Sequence, residues 1–103
     1  VAKVIEKDGV LTLKLSALEK IGALHGDISV AGNQLLTKTE VPNPWTRKHL
    51  RGFRAPGTGF PFLIMLGTMR FKGGKDFCAI YKRTPAVIYE FTDAPFKRWV
   101  VSI

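Results

Sequence analysis

The sequence predicts a mostly β domain: a small barrel or sandwich of antiparallel sheets, with seven to eight short strands and one short helix near residues 17–25. Three observations predict it. Short apolar segments alternate with a period of two residues. Clusters of Gly, Pro, Asn and Asp separate them at close intervals. Only one stretch carries helical spacing. The 103 residues suit a single domain. In so short a chain, closing the sheet edges makes a small barrel the economical solution.

Residues 1–6 read as a first strand. Lys7-Asp8-Gly9 is a turn, because Asp-Gly favours the positive backbone angles of tight hairpins. Residues 10–15 follow as a half-buried strand, with Leu11, Leu13 and Leu15 on one face. Ser16-Ala17-Leu18-Glu19 matches a capping box and opens the helix. Leu18, Ile21 and Leu24 lie at helical spacing and are expected to cover the core, and Gly26 is expected to take the left-handed position that ends the helix. Residues 27–30 return to strand, 31–34 turn, and 35–41 form the next strand. Pro42 and Pro44 end it, since proline lacks the ladder donor. Residues 46–50 suit one helical turn, and 51–61 read as a loop rich in Gly and Pro. Residues 62–71 and 76–81 are paired strands around a turn at Lys72-Gly73-Gly74-Lys75. After a turn at 82–85 come strands at 86–91 and 97–103.

The formal net charge of +8 is unevenly placed. Residues 1–40 carry five lysines and five acids, and residues 84–103 carry two charges of each sign. Residues 41–83 carry nine Lys and Arg against Asp76 alone. That asymmetry suits an anionic partner. Cys78 is the only cysteine, which excludes an intrachain disulfide, and its strand setting marks a buried, inert thiol. His25, His49 and Cys78 show none of the local ligand pairs that zinc sites use, so neither metal nor other cofactor is expected. No catalytic motif stands out, and the chain is not expected to be an enzyme. The longest uncharged run, 55–69, is broken by Pro56, Pro61, Gly57, Gly59 and Gly67, so no membrane-spanning helix is expected. No signal peptide is visible, which points to a cytoplasmic location.

The candidate ligand site is the glycine-rich stretch 51–59 with its basic neighbours: Arg47, Lys48, Arg51, Arg54, Gly57, Gly59, Arg70 and Lys72. Glycines let a backbone approach a ligand closely, and successive N–H groups cradle anions. Arginines add bidentate contacts to phosphate or carboxylate. The stretch is neither a P-loop nor a dinucleotide fingerprint. Trp45 after Pro44 is expected to plug the core, and Trp99 to pack in the core or at a sheet edge.

Several segments, in this order, resemble one family. They are Leu18-Glu19-Lys20-Ile21-Gly22-Ala23-Leu24-His25-Gly26-Asp27, Pro44-Trp45, Leu50-Arg51-Gly52-Phe53-Arg54-Ala55-Pro56-Gly57-Thr58-Gly59, Gly73-Gly74-Lys75-Asp76-Phe77 and Val100-Val101-Ser102. Together they are similar to a family of small bacterial proteins with a pleckstrin-homology-like domain. The resemblance implies two roughly orthogonal antiparallel sheets closed by a C-terminal helix, which is not expected within residues 1–103. It carries no assigned reaction. The expected function is a binding or interaction domain. Its partner would be a protein, an anionic lipid or a phosphate group at the basic 41–83 region, with a nucleic-acid-binding module as the alternative.

Overall fold

The computed structural model describes residues 2–45, 50, 52–60 and 63–102, without the side chains of 53–56. The expected helical turn at 46–50 therefore lies, but for Leu50, outside the described residues. The mostly β class holds, with nine strands among the described residues rather than seven or eight. They are β1 (Lys3–Lys7), β2 (Val10–Lys14), β3 (Ile28–Ala31), β4 (Leu35–Val41), β5 (Phe53–Phe60), β6 (Ile64–Phe71), β7 (Gly74–Tyr81), β8 (Ala86–Phe91) and β9 (Arg98–Ser102). Among the described residues a single α-helix, α1 (Ala17–Ala23), separates β2 from β3, and a short 3-10 turn (Gly32–Gln34) separates β3 from β4. No helix among the described residues is long and apolar enough to cross a membrane.

β1, β2 and β3 form one antiparallel sheet in that order. Lys7 pairs with Val10 across a two-residue turn in which Asp8 and Gly9 have φ of 52° and 77°. Two positive angles in succession match the twist of the flanking strands. Leu11 and Leu13 turn inward, with Ile28 and Val30 of β3 beside them.

The other six strands form a sheet in the order β4-β8-β9-β7-β6-β5. Here the structure departs from an all-antiparallel scheme, because β9 runs parallel to β7. The cause is local. β9 folds back antiparallel on β8 and fills the lane between β8 and β7. The 82–85 connection, expected to be a tight hairpin, instead crosses over β9. Crossing two strand spacings needs about 9.5 Å, which a four-residue link spans easily.

The central strands are buried on both faces. Phe77, Ala79, Trp99 and Val101 join the inward residues of the first sheet. Cys78, Ile80 and Val100 point to a second cluster with Val41, Met69, Ala86 and Ile88. Two-sided burial explains the unbroken apolar runs of β7 and β9. Trp99 lies 4.6 Å from Phe91 and 6.0 Å from Tyr89, ring centre to ring centre. Trp45 packs on the second cluster beside a fully buried Pro44, and its Nε1–H donates to the Lys82 carbonyl at 2.6 Å. It plugs the core as expected. Cys78 is fully buried in the same layer. Its labelling by an aromatic disulfide reagent is therefore expected to track global unfolding, with no fast native phase. Prompt native labelling would contradict this burial.

The helix turns a different face inward than its leucines suggest. The Ser16 hydroxyl accepts from the Glu19 N–H, and the Glu19 carboxylate accepts from the Ser16 N–H, so the capping box forms. The buried helix residues are Glu19 and Ala23. Gly22 lies so close to β5 and β6 that an added Cβ would meet Leu66 Cδ2 at 3.0 Å and Thr58 Oγ1 at 3.4 Å. Small side chains permit that approach. Leu18, Ile21 and Leu24 face solvent instead, at 81%, 70% and 70% exposure. Leu24, not Gly26, takes the left-handed position, with φ of 53°.

Candidate functional site

Of the eight residues singled out by sequence, the four whose placement is described, Gly57, Gly59, Arg70 and Lys72, are spread along β5 and β6 and the turn that follows. Arg47, Lys48 and Arg51 lie outside the described residues, as does the Arg54 side chain. Gly57 and Gly59 are not in a loop: they belong to β5, opposite Gly67 and Met65 of β6. A register shift between Arg54 and Gly57 accommodates Ala55 and Pro56, and an edge strand tolerates a proline. Arg70 and Lys72 are exposed at the far end of β6 and in the turn after it. Lys72 is seven residues along from Met65, or about 23 Å of strand. Gly59 and Lys72 therefore cannot share a small ligand.

Two further cations join Arg70 and Lys72. Lys75 is the ladder partner of Arg70, and its ammonium sits 4.8 Å from the Phe96 ring centre. Lys97 donates its backbone N–H to the Lys75 carbonyl at 2.8 Å. Its stem lies over Gly74, where an added Cβ would meet Cε at 2.5 Å. Of the acids beside them, Asp76 is buried against Arg98, with Nε to Oδ2 at 3.3 Å, and Glu90, the ladder partner of Arg98, is exposed. Local sequence assigns Lys97 to a neutral tail, and only the return of β9 beside β7 brings it to this end. Lys82 and Arg83 sit just beyond the opposite end of β7. Among the described residues these basic side chains are thus divided, with Arg70, Lys72, Lys75 and Lys97 at the β6–β7 hairpin end and Lys82 and Arg83 at the other.

His25 is a packing residue. Its ring meets Phe77 and Phe96 edge-on at 5.6 and 5.5 Å. No group of three or more potential metal ligands occurs among the described residues.

A feature the sequence did not disclose lies under α1. A half-open cavity of about 390 Å³ is lined by Leu18, Gly22, Ile64 and Leu66, with Ser16, Glu19, Thr58 and Tyr81 as its polar members. The Tyr81 hydroxyl donates to Glu19 Oε2 across 62 residues of sequence. Burial alone raises the Glu19 carboxyl. The hydrogen bonds from the Ser16 N–H and the Tyr81 hydroxyl outweigh it and hold the group below its ordinary 4.5. Burial, then the bond and charge of Glu19, push the Tyr81 hydroxyl well above its ordinary 10.

These shifts fix the sign of a pH dependence. A depressed carboxyl stabilises the fold above its unfolded value and loses that contribution as pH falls through its folded value. Glu19→Gln is therefore expected to flatten the fall in melting temperature below pH 4.5. An unchanged acid limb would assign that limb to other carboxylates. Tyr81→Phe removes a hydrogen bond to a charged group and is expected to cost about 1.5–3 kcal/mol in urea unfolding.

No family model matches the chain, and no curated protein or solved structure does either.

Proposed function

We propose that this chain is a binding domain without catalytic activity, and that an anionic partner docks at the basic end of the six-stranded sheet. The observation that carries the reading is the gathering of Arg70, Lys72, Lys75 and Lys97 around the β6–β7 hairpin, with Asp76 turned inward to Arg98. An anionic lipid headgroup or a phosphate on a protein suits exposed Lys and Arg at a sheet end. The resemblance to pleckstrin-homology-like domains agrees with a binding role.

Flotation with vesicles containing anionic lipid at low salt is expected to carry the protein upward, while neutral vesicles leave it behind. Equal recovery with both vesicle types would reject the lipid partner. A lysine near an anionic surface contributes about 1 kcal/mol. Lys72→Ala with Lys97→Ala is therefore expected to weaken binding by about 30-fold. A mobility shift with duplex DNA at low salt, without flotation, would redirect the same surface to nucleic acid.

A further inference from the structure

We propose that the cavity under α1 is a second binding site, for a small aliphatic ligand whose polar end is a hydrogen-bond donor, such as an alcohol or an amine. Its size and its walls carry the proposal. The volume of about 390 Å³ falls at the small end of ligand pockets, which run from about 300 to 1,000 Å³. Leu18, Gly22, Ile64 and Leu66 supply apolar walls, and Leu18 stands exposed at the mouth.

The polar groups of the remaining wall mostly present acceptors. The Ser16 hydroxyl accepts from the Glu19 N–H, and its side chain also hydrogen-bonds the Glu19 carboxylate. The Tyr81 proton goes to Glu19. The Thr58 proton goes to the Gly22 carbonyl at 2.7 Å. Both hydroxyls therefore turn lone pairs, not protons, toward the space. The Glu19 carboxylate is an acceptor by nature. A ligand that donates finds partners there. A carboxylate ligand would meet acceptors and a like charge, both unfavourable.

This chemistry is the reverse of the basic end, and the two sites are far apart. Ile64 and Tyr81 are ladder partners at one end of β6 and β7, whereas Phe71 and Gly74 pair at the other. Seven residues of strand separate them, about 23 Å. The cavity inference thus stands independently of the anionic partner.

The test is a ¹H–¹⁵N correlation titration of the whole chain with hexan-1-ol, hexylamine and hexanoate in turn. The first two are expected to shift the amides of Gly22, Thr58, Ile64 and Tyr81 to saturation. Hexanoate is expected to leave those four amides in place, whatever it does at the basic hairpin. The proposal is overturned if hexan-1-ol moves none of them, or if hexanoate moves them as hexan-1-ol does. Ile64→Trp is expected to fill the space and weaken hexan-1-ol by at least about tenfold. A folded variant with unchanged affinity would also overturn it. Should that variant fail to fold, the amide map of the unmodified chain decides alone.

Discussion

Asp76→Ala is expected to destabilise the domain by about 3–5 kcal/mol, read as a lower urea midpoint at unchanged slope. Asp76 is 1% exposed and Arg98 9%. They face each other across the parallel pairing of β7 and β9, with Arg98 Nε 3.3 Å from Asp76 Oδ2. Removing the carboxylate takes away the charge 3.3 Å from a buried guanidinium, and breaking a buried pair by deleting one partner is among the most destabilising single changes. A domain of this size is stable by only about 5–15 kcal/mol, so the loss is a large fraction of the whole. The pair itself need not be stabilising, because desolvating two charges offsets much of their attraction. Asp76→Leu combined with Arg98→Met is therefore expected to recover most of the loss. A single variant within 1 kcal/mol of the parent would contradict the buried pair.

The same pair bears on binding. Lys75 and Lys97 precede Asp76 and Arg98 in the chain, so pinning β9 to β7 also sets two of the basic residues side by side. If net charge alone drove association, loss of Asp76 would tighten binding to anionic vesicles. If the arrangement of lysines matters, binding weakens under conditions where the variant is still folded.

What was legible in the sequence was what neighbouring residues decide. Asp8-Gly9 dictates a hairpin, and Ser16 with Glu19 dictates a helix start, because both signals act within four residues. β4 and β8 are readable for the same reason. β9 beside β7 is not, since its lane is set by how a return strand fills a gap. The inward helix face misleads as well. Periodicity favours Leu18, Ile21 and Leu24, but the small residues Gly22 and Ala23 permit closer contact with β6, and Glu19 finds Tyr81. No local pattern announces a hydrogen bond between residues 19 and 81. The cavity therefore has no local signature, whereas the basic excess of residues 41–83 is a matter of composition alone.

Gly52→Ala is expected to cost about 2–5 kcal/mol, and it separates two readings of the glycine-rich stretch. Gly52 has φ of +74°, and a side chain forced into the left-handed region costs about 1–2 kcal/mol. An added Cβ would also lie 1.9 Å from the Arg70 carbonyl oxygen and 2.6 Å from its carbon. Backbone cannot yield as a flexible side chain does, and overpacking of this kind adds about 1–3 kcal/mol. Phe53 is the ladder partner of Arg70, so the start of β5 should detach and lose amide protection. Gly26→Ala is the control. Its position is open, with no atom within 4 Å of the added Cβ, and the change is expected to stay within about 0.5 kcal/mol. If glycine is required at 52 for close packing on β6, stability falls first, and any loss of vesicle binding follows it. An unchanged urea midpoint together with lost flotation would instead return Gly52 to the ligand.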